Sequence, residues 1–215
     1  MCYEIESERF IEIAGVSLND EFGSGTVELR RAKRLCNPAD KNDEDPTAPS
    51  DPDHLSGYVI KQTAPQFIPV PALQVTNQFG SITVDVVRPD MILVPSAKSL
   101  SAPPPPLTNP AIDHFKCYKI KGARFRVPGI TVDDQFGTLR VDLKKPIRLC
   151  AAADKNGEGI QDPTAHLLCY KARISSGFPR FRGPGVPVYI DNQFGPDTID
   201  VRHERELCVP STVNP

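Results

Sequence analysis

Two carboxylates, an amide, an aromatic ring and a glycine stand together at residues 133–137, DDQFG. Paired carboxylates can serve as general acid and general base, so the segment is a candidate catalytic site. However, adjacent strand residues point to opposite faces, which would separate Asp133 from Asp134. The pattern also returns as NDEFG at 19–23, TNQFG at 76–80 and DNQFG at 191–195. A catalytic group is needed once per site, whereas a hairpin needs its turn in every copy, so the recurrence favours a turn.

The four copies keep Phe and Gly but exchange Asp for Asn and Gln for Glu. Residues that tolerate loss of charge are poor candidates for proton chemistry. Asp or Asn can bond its own backbone in a tight turn, Phe can anchor the turn to the core, and Gly can adopt a positive φ. The predicted turn anchors are Phe22, Gly23, Phe79, Gly80, Phe136, Gly137, Phe194 and Gly195.

A second candidate site is the acidic segment ADKNGEGIQD, residues 153–162. Oxygen ligands at alternate positions suit a hard cation such as calcium, and the candidate ligands are Asp154, Asn156, Glu158 and Asp162. The segment lacks the bidentate Glu that an EF-hand places at its twelfth position, and its residues are also ordinary turn formers. The favoured interpretation is a solvated connection without a cofactor, and calcium binding is the alternative.

Histidines and arginines offer weaker signals. His54, His114 and His166 each precede the opening position of a repeat by three residues, which favours structural use over a shared metal site, and His203 is expected in solvent. Arg-Phe-Arg occurs at 124–126 and 180–182. It could grip a polyanion, but in a strand it places Phe inward and Arg outward, which is the favoured interpretation. The basic run at 30–34 is expected to form a solvated face.

Several function classes are disfavoured. There is no Gly-x-Ser-x-Gly elbow, phosphate loop or HExxH motif, so we expect no enzyme. With 25 basic and 27 acidic side chains the net charge is -2, which predicts no overall attraction to nucleic acid. The sequence has no run of about 18 apolar residues, so we expect no membrane insertion. The N-terminal segment lacks a signal-peptide pattern.

Alternating apolar residues bounded by Gly, Pro, Asn and Asp predict strands throughout the chain. Aligned on the Phe-Gly motif, the strands form four repeats, at 2–53, 54–97, 113–165 and 166–215. The first and third share LCxxADKNxE, and the second and fourth share VPS. The Pro-rich segment 98–111 predicts a linker. We therefore expect an all-β protein of two antiparallel barrel- or sandwich-like domains, 1–97 and 112–215, each a pseudo-twofold pair of repeats.

The repeats also predict how the six cysteines pair. Cys2, Cys117 and Cys169 open repeats, Cys36, Cys150 and Cys208 close them, and the second repeat has Gly57 and Leu93 instead. Bonds between neighbouring repeats would leave two cysteines unpaired, whereas bonds within repeats leave none. The predicted disulfides are Cys2 with Cys36, Cys117 with Cys150, and Cys169 with Cys208. Because such bonds persist in oxidising compartments, they predict an extracellular or cell-surface location.

Several motifs together resemble a known family: HFKCYKIK, ITVDDQFG, RLCAAADKNGE, DPTAHLLCYK and ELCVPS. They are similar to an uncharacterised tandem-repeat domain of predicted secreted bacterial proteins. The resemblance implies secretion and a repeat architecture, and it assigns no activity.

The sequence thus predicts a non-enzymatic structural or adhesive module outside the cell. The first repeat begins at CYE without the His-containing lead-in of the others, and an incomplete edge strand predicts pairing with a second copy in an assembly. The alternative is a module that binds carbohydrate or another extracellular polymer, with calcium as a support. A hydrolase is the third hypothesis.

Overall fold

A computed structural model describes residues 1–7, 12–108 and 110–214. Within these ranges the chain forms thirteen strands and one short 3₁₀ helix, Ala48–Ser50. The prediction of an antiparallel all-β protein is confirmed, since all the strand pairings are antiparallel. No helix in the described ranges is long and apolar enough to cross a membrane.

Each repeat contributes a first, a second and a third strand, numbered here in chain order. The first strands are β1 (Cys2–Ser7), β5 (His54–Ala64), β8 (His114–Gly122) and β11 (His166–Ile174). The second strands are β2 (Ile13–Asp20), β6 (Val70–Asn77), β9 (Val127–Asp134) and β12 (Val188–Asp191). The third strands are β3 (Gly23–Cys36), β7 (Gly80–Ser99), β10 (Gly137–Lys155) and β13 (Asp197–Asn214). A two-residue strand, β4 (Asp40–Lys41), follows β3.

First and third strands alternate around a closed ring. The pairings run β1–β3–β5–β7–β8–β10–β11–β13, and β13 pairs again with β1. Each second strand forms a hairpin with the third strand of its own repeat. The ring therefore holds the four repeats in chain order, and repeats one and three are opposite each other, as are repeats two and four.

The structure differs from the expectation of two domains with separate cores. β7 pairs with β8 across the Pro-rich segment, and β13 pairs with β1. One hydrophobic cluster contains buried residues of all four repeats. The physical reason is that each first strand has two edges, and its own third strand fills only one of them. The predicted linker, 98–111, also begins inside β7, which ends at Ser99.

The expected open edge of the first strand is likewise corrected. Cys2 lies opposite Cys36 on one side and opposite Glu206 on the other. Because residues 2–4 are paired along both edges, the start of β1 offers no free ladder to another chain.

The ring strands carry tyrosines on one face and cysteines on the other, because adjacent strand residues alternate. On the tyrosine face, Tyr3, Tyr58, Tyr118 and Tyr170 are completely or almost completely buried. The cysteine face holds three disulfides, in the predicted pairs: Cys2–Cys36, Cys117–Cys150 and Cys169–Cys208.

In the second repeat, Gly57 lies directly opposite Leu93, where the other repeats have a disulfide. A Cβ at Gly57 would lie 2.8 Å from the Sδ of Met91 and 2.8 Å from the Cβ of Arg34. Packed side chains thus occupy the space of the missing bond, and only glycine fits beside them.

Candidate functional site

The ring tyrosines bind the turns of the opposite repeats. In the odd repeats the turn residue is Asp: the Tyr3 hydroxyl donates to Asp134 at 2.8 Å. The Tyr118 hydroxyl lies 2.9 and 2.6 Å from the two carboxylate oxygens of Asp20. Of the two carboxylates that suggested catalysis, Asp134 is therefore a hydrogen-bond acceptor between repeats one and three, and Asp133 accepts the hydroxyl of Thr138 within its own repeat.

In the even repeats Asn takes the same place. Asn77 donates to the Tyr170 hydroxyl at 2.9 Å, and Asn192 donates to the Tyr58 hydroxyl at 3.0 Å. Serine hydroxyls complete these neutral clusters, since Asn77 also donates to Ser211 at 3.2 Å. The same geometry thus operates with and without a charge.

The turn has the same geometry in all four repeats, which explains why its Asp or Asn, its Phe and its Gly recur. In each copy the Asp or Asn side chain accepts the backbone N–H two residues on, as in an Asx turn. The turn glycines all have positive φ: Gly23 115°, Gly80 105°, Gly137 105° and Gly195 90°. The Phe rings meet tyrosines of the opposite repeat edge-on: Phe22 with Tyr118, Phe79 with Tyr170, Phe136 with Tyr3, and Phe194 with Tyr58.

A buried lysine and a half-buried lysine accompany the two turn aspartates. Lys116 places its Nζ 3.7 Å from Asp20 and donates to the carbonyl of Gly23 at 3.0 Å. Burial raises the pKa of Asp20 to about 6, although Lys116 and the Tyr118 hydroxyl act in the opposite direction. Burial also lowers the pKa of Lys98 to about 7, and its ammonium lies 4.4 Å from the centre of the Phe136 ring.

The acidic segments dock onto the opposite repeat. The Asn156 side chain accepts the N–H of Ser17 at 2.9 Å, and its own N–H donates to the Ser17 carbonyl at 3.0 Å. Asn42 makes the same two bonds with Thr131, each at 3.0 Å. Both asparagines have left-handed backbones, with φ of 54° at Asn42 and 57° at Asn156. The shared ADKN motif is thus a latch between repeats one and three.

The candidate calcium ligands are engaged elsewhere in this segment. Asp154 accepts the N–H of Gly159 at 3.0 Å, Asp162 accepts the N–H of Thr164 at 2.8 Å, and Glu158 pairs with Lys155. Across the described ranges, one group of three residues has metal-ligating atoms within 4.8 Å, namely Cys169, Glu206 and Cys208. Those cysteines are joined in a disulfide, so their sulfurs are not thiolate ligands. Calcium binding stays a prediction, which melting with and without calcium would test.

The three repeated histidines lie in different surroundings. Burial lowers the pKa of His54 to about 3. His166 lies 2.6 Å from Glu21, and although burial acts against it, this carboxylate raises the pKa of His166. Burial lowers the pKa of His114, while His203 is exposed.

A buried ionic network was not anticipated. Arg148 donates to both oxygens of Asp90, at 3.1 and 3.0 Å, and to Glu206. Glu206 also accepts from Arg34 at 2.7 Å, so the last residue of the basic run 30–34 is not simply solvated. Arg34, Met91, Arg148 and Glu206 each stand two residues before the closing position of their repeat, so the equivalent site carries two arginines, a methionine and a glutamate.

The Arg-Phe-Arg segments turn their rings inward. Phe181 packs on Tyr3 with ring centres 4.6 Å apart, and Phe125 packs on Tyr170 at 4.4 Å. Arg180 and Arg182 are exposed.

Comparisons with known protein families, curated proteins and solved structures find no match to this chain. The functional argument therefore depends on the geometry of the chain's own residues.

Proposed function

We propose that the protein is a non-enzymatic structural or adhesive module that works outside the cell or at its surface. The observation that carries this proposal is the use of the recurring polar side chains. The turn residues Asp20, Asn77, Asp134 and Asn192 each bind a tyrosine of the opposite repeat. These side chains hold the four repeats together, which supports a structural role for them over a catalytic one.

The disulfides support the proposed location. Each closes a segment within one repeat, with sequence separations of 34, 33 and 39. Loops of this size stabilise a fold by about 3.5 to 4 kcal/mol each in the chain-entropy model, and they persist where the environment is oxidising. The proposal does not include assembly through the edge of β1, because the start of that strand, residues 2–4, is paired on both sides.

The test is the redox state of the six cysteines in the native host. Cells are treated with a membrane-permeant alkylating agent before lysis, and the intact mass of the protein is measured before and after reduction. We expect no alkylation before reduction and six additions after it, together with recovery of the protein by protease shaving of intact cells or from the medium. Six free thiols in the cell would overturn the proposed location.

The structural role has its own test. Purified oxidised protein should resist cleavage in limited proteolysis, because the turns are bound to the opposite repeats. The reduced protein should lose this resistance to the protease. Turnover of a hydrolase substrate panel that is abolished by Asp20→Asn would contradict the non-enzymatic proposal.

A second candidate is binding of an extracellular polymer. One observation favours it: the exposed side chains of Arg88, Lys119, Lys145 and Arg173 lie on neighbouring strands of the ring.

A further inference from the structure

Basic side chains lie on five consecutive strands of the ring, from β7 to β13. We call this set the basic belt. It consists of Arg88 on β7, Lys119 on β8, Lys145 on β10, Lys171 and Arg173 on β11, and Arg205 on β13. Neighbouring strands are about 4.8 Å apart, so five strands cover about 19 Å. The belt is therefore long enough to contact several units of a polymer.

The members of the belt lie close enough to repel one another. The charge of Arg173, followed by those of Lys145 and Arg205, lowers the pKa of Lys171. Arg88 lies directly opposite Lys119 in the β7–β8 pairing. Like charges in directly opposed positions destabilise a sheet, and a bound anion would relieve that repulsion.

Local irregularities of the sheet lie at or beside two of these side chains. The register shifts between Leu143 and Pro146 in β10, and between Val86 and Arg88 in β7. Such bulges leave a residue outside the regular ladder and redirect its side chain. Lys145 lies within the first irregularity, Arg88 is the ladder residue that follows the second, and both are exposed.

One end of the belt opens into a cavity of about 420 Å³. It is lined by Arg173, Arg180, Phe181, His203, Glu204 and Arg205, among others. Phe181 packs on Tyr3, which fixes the neighbouring Arg180 at the cavity wall. The Nε of Arg205 is buried and has no hydrogen-bond partner in the described ranges. The volume is within the range of small-ligand sites.

The nearby carboxylates neutralise only part of the belt, and Glu204 also lines the cavity. Asp142 lies opposite Arg173, but it accepts the N–H of Gly129 at 3.1 Å and the hydroxyl of Ser175 at 2.7 Å. Glu4 pairs with Arg205. Within the part of the chain that the structure describes, no ion pair within 4.0 Å involves Lys145, Lys171, Arg173 or Arg180.

We propose that the basic belt and its cavity bind an acidic polysaccharide, with one carboxylate or sulfate group held in the cavity by the guanidinium groups of Arg173, Arg180 and Arg205. Guanidinium groups match such planar or tetrahedral anions through paired N–H donors. This goes beyond the proposed structural role, since it assigns a ligand class and a site.

Two observations favour a polysaccharide over nucleic acid. The three disulfides indicate an oxidising environment, unlike the cytosol and nucleus where nucleic acids are concentrated. Proteins that bind single strands also stack bases on exposed aromatic rings, whereas the ring lining this cavity, Phe181, is 9% exposed and packs on Tyr3.

The experiment measures the affinity of the oxidised full chain for heparin, as the sulfated probe, and for polygalacturonate, as the carboxylated probe. Neutral dextran is the negative control, and a single-stranded oligonucleotide is the competing polyanion. We expect binding of at least one acidic glycan despite the net charge of -2, no binding of dextran, and weaker binding of the oligonucleotide. The salt dependence should be steep, because binding releases counterions.

The test variant combines Lys145→Gln, Lys171→Gln and Arg180→Gln. Its matched control combines Arg30→Gln, Arg31→Gln and Lys61→Gln, which removes the same charge from β3 and β5, outside the belt. The belt variant should lose at least about tenfold in affinity at low salt and lower the log–log salt slope by about 0.7 to 0.9 for each cation removed, the value for nucleic-acid polyanions.

The control variant should bind within about twofold of the unmodified chain, and equal urea midpoints would show that both variants are folded. Equal loss of affinity in both variants would overturn the site. Absence of binding to both acidic glycans at 50 mM salt, or tighter binding of the oligonucleotide, would overturn the ligand class. None of these outcomes affects the test of cysteine redox state, so failure of the two proposals can be distinguished.

Discussion

The hydrogen bond between Tyr118 and Asp20 allows a sharp test of how the repeats hold one another. Tyr118→Phe removes a buried hydroxyl that lies 2.9 and 2.6 Å from the two carboxylate oxygens. Hydrogen bonds to charged groups contribute about 1.5 to 3 kcal/mol, and neutral ones about 0.5 to 1.5 kcal/mol. The matched control is Tyr170→Phe, because Tyr170 bonds the neutral side chain of Asn77 at 2.9 Å.

The difference between the two variants should depend on pH. The pKa of Asp20 is raised to about 6 from 3.8, so the folded state takes up a proton more readily than the unfolded chain. Asp20 therefore contributes stability that is fully present below about pH 4 and is lost as the pH rises through about 6. The Tyr118 hydroxyl favours the charged carboxylate and limits that loss. Without it the pKa of Asp20 rises further, and the loss becomes larger.

The assay is urea unfolding of the oxidised protein at pH 4 and pH 8, with the free energy taken from midpoint and slope. At pH 8 we expect Tyr118→Phe to lose about 2 to 3 kcal/mol and Tyr170→Phe about 1 kcal/mol. At pH 4, where Asp20 is protonated in the folded state, the two losses should be similar. If the two variants lost the same free energy of unfolding at pH 8 as well as at pH 4, the assignment of a charged acceptor to the odd repeats would be refuted.

Three further predictions concern other contacts between and within repeats. Replacing both Cys117 and Cys150 with Ala should lower the free energy of unfolding by about 3.5 to 4 kcal/mol, measured in urea, and a change below about 1 kcal/mol would contradict the chain-entropy estimate. Asn156→Gly should cost about 1 kcal/mol through the lost bond to Ser17, and Asn156→Ala about 1 to 2 kcal/mol more because its backbone is left-handed; equal costs would contradict the strain argument. Glu206→Gln should cost about 3 to 5 kcal/mol, because two arginines lose a shared buried partner, and a neutral effect in thermal melting would contradict the network.

The secondary structure and the disulfides could be predicted because their signals are local and repeated. Alternating apolar residues mark strands in every repeat, and the turn glycines recur at one position. The disulfide prediction succeeded because the second repeat lacks both of its cysteines and has Gly57 and Leu93 in their places. The structure puts these two residues directly opposite each other. A paired absence in one repeat therefore identified a contact that is present in the other three.

The closed ring could not be predicted in this way, because it depends on contacts between repeats. The four prolines at 103–106 indicate a domain boundary in the sequence, but β7 and β8 pair on either side of them. Local composition predicts how stiff a connection is. It does not predict which strands the flanking segments pair with. The basic belt was missed for a related reason: the net charge of -2 averages over the chain, and the belt exists only once distant strands become neighbours.

The order of the repeats acquires a physical meaning in the ring. Opposite positions are two repeats apart, so an alternating sequence of two repeat types brings like against like. Repeats one and three exchange latches through Asn42 and Asn156, and their turn aspartates lie beside lysines. Repeats two and four lack the latch, and only the strand contact remains: β13 pairs with β6 and β7 pairs with β12, as β10 pairs with β2 and β4 with β9 in repeats one and three. The alternation read in the sequence is thus the pattern that two different, mutually compatible contacts require. A chain with its second and third repeats exchanged would place each latch opposite a repeat of the other type, and its urea midpoint should fall below that of the natural order.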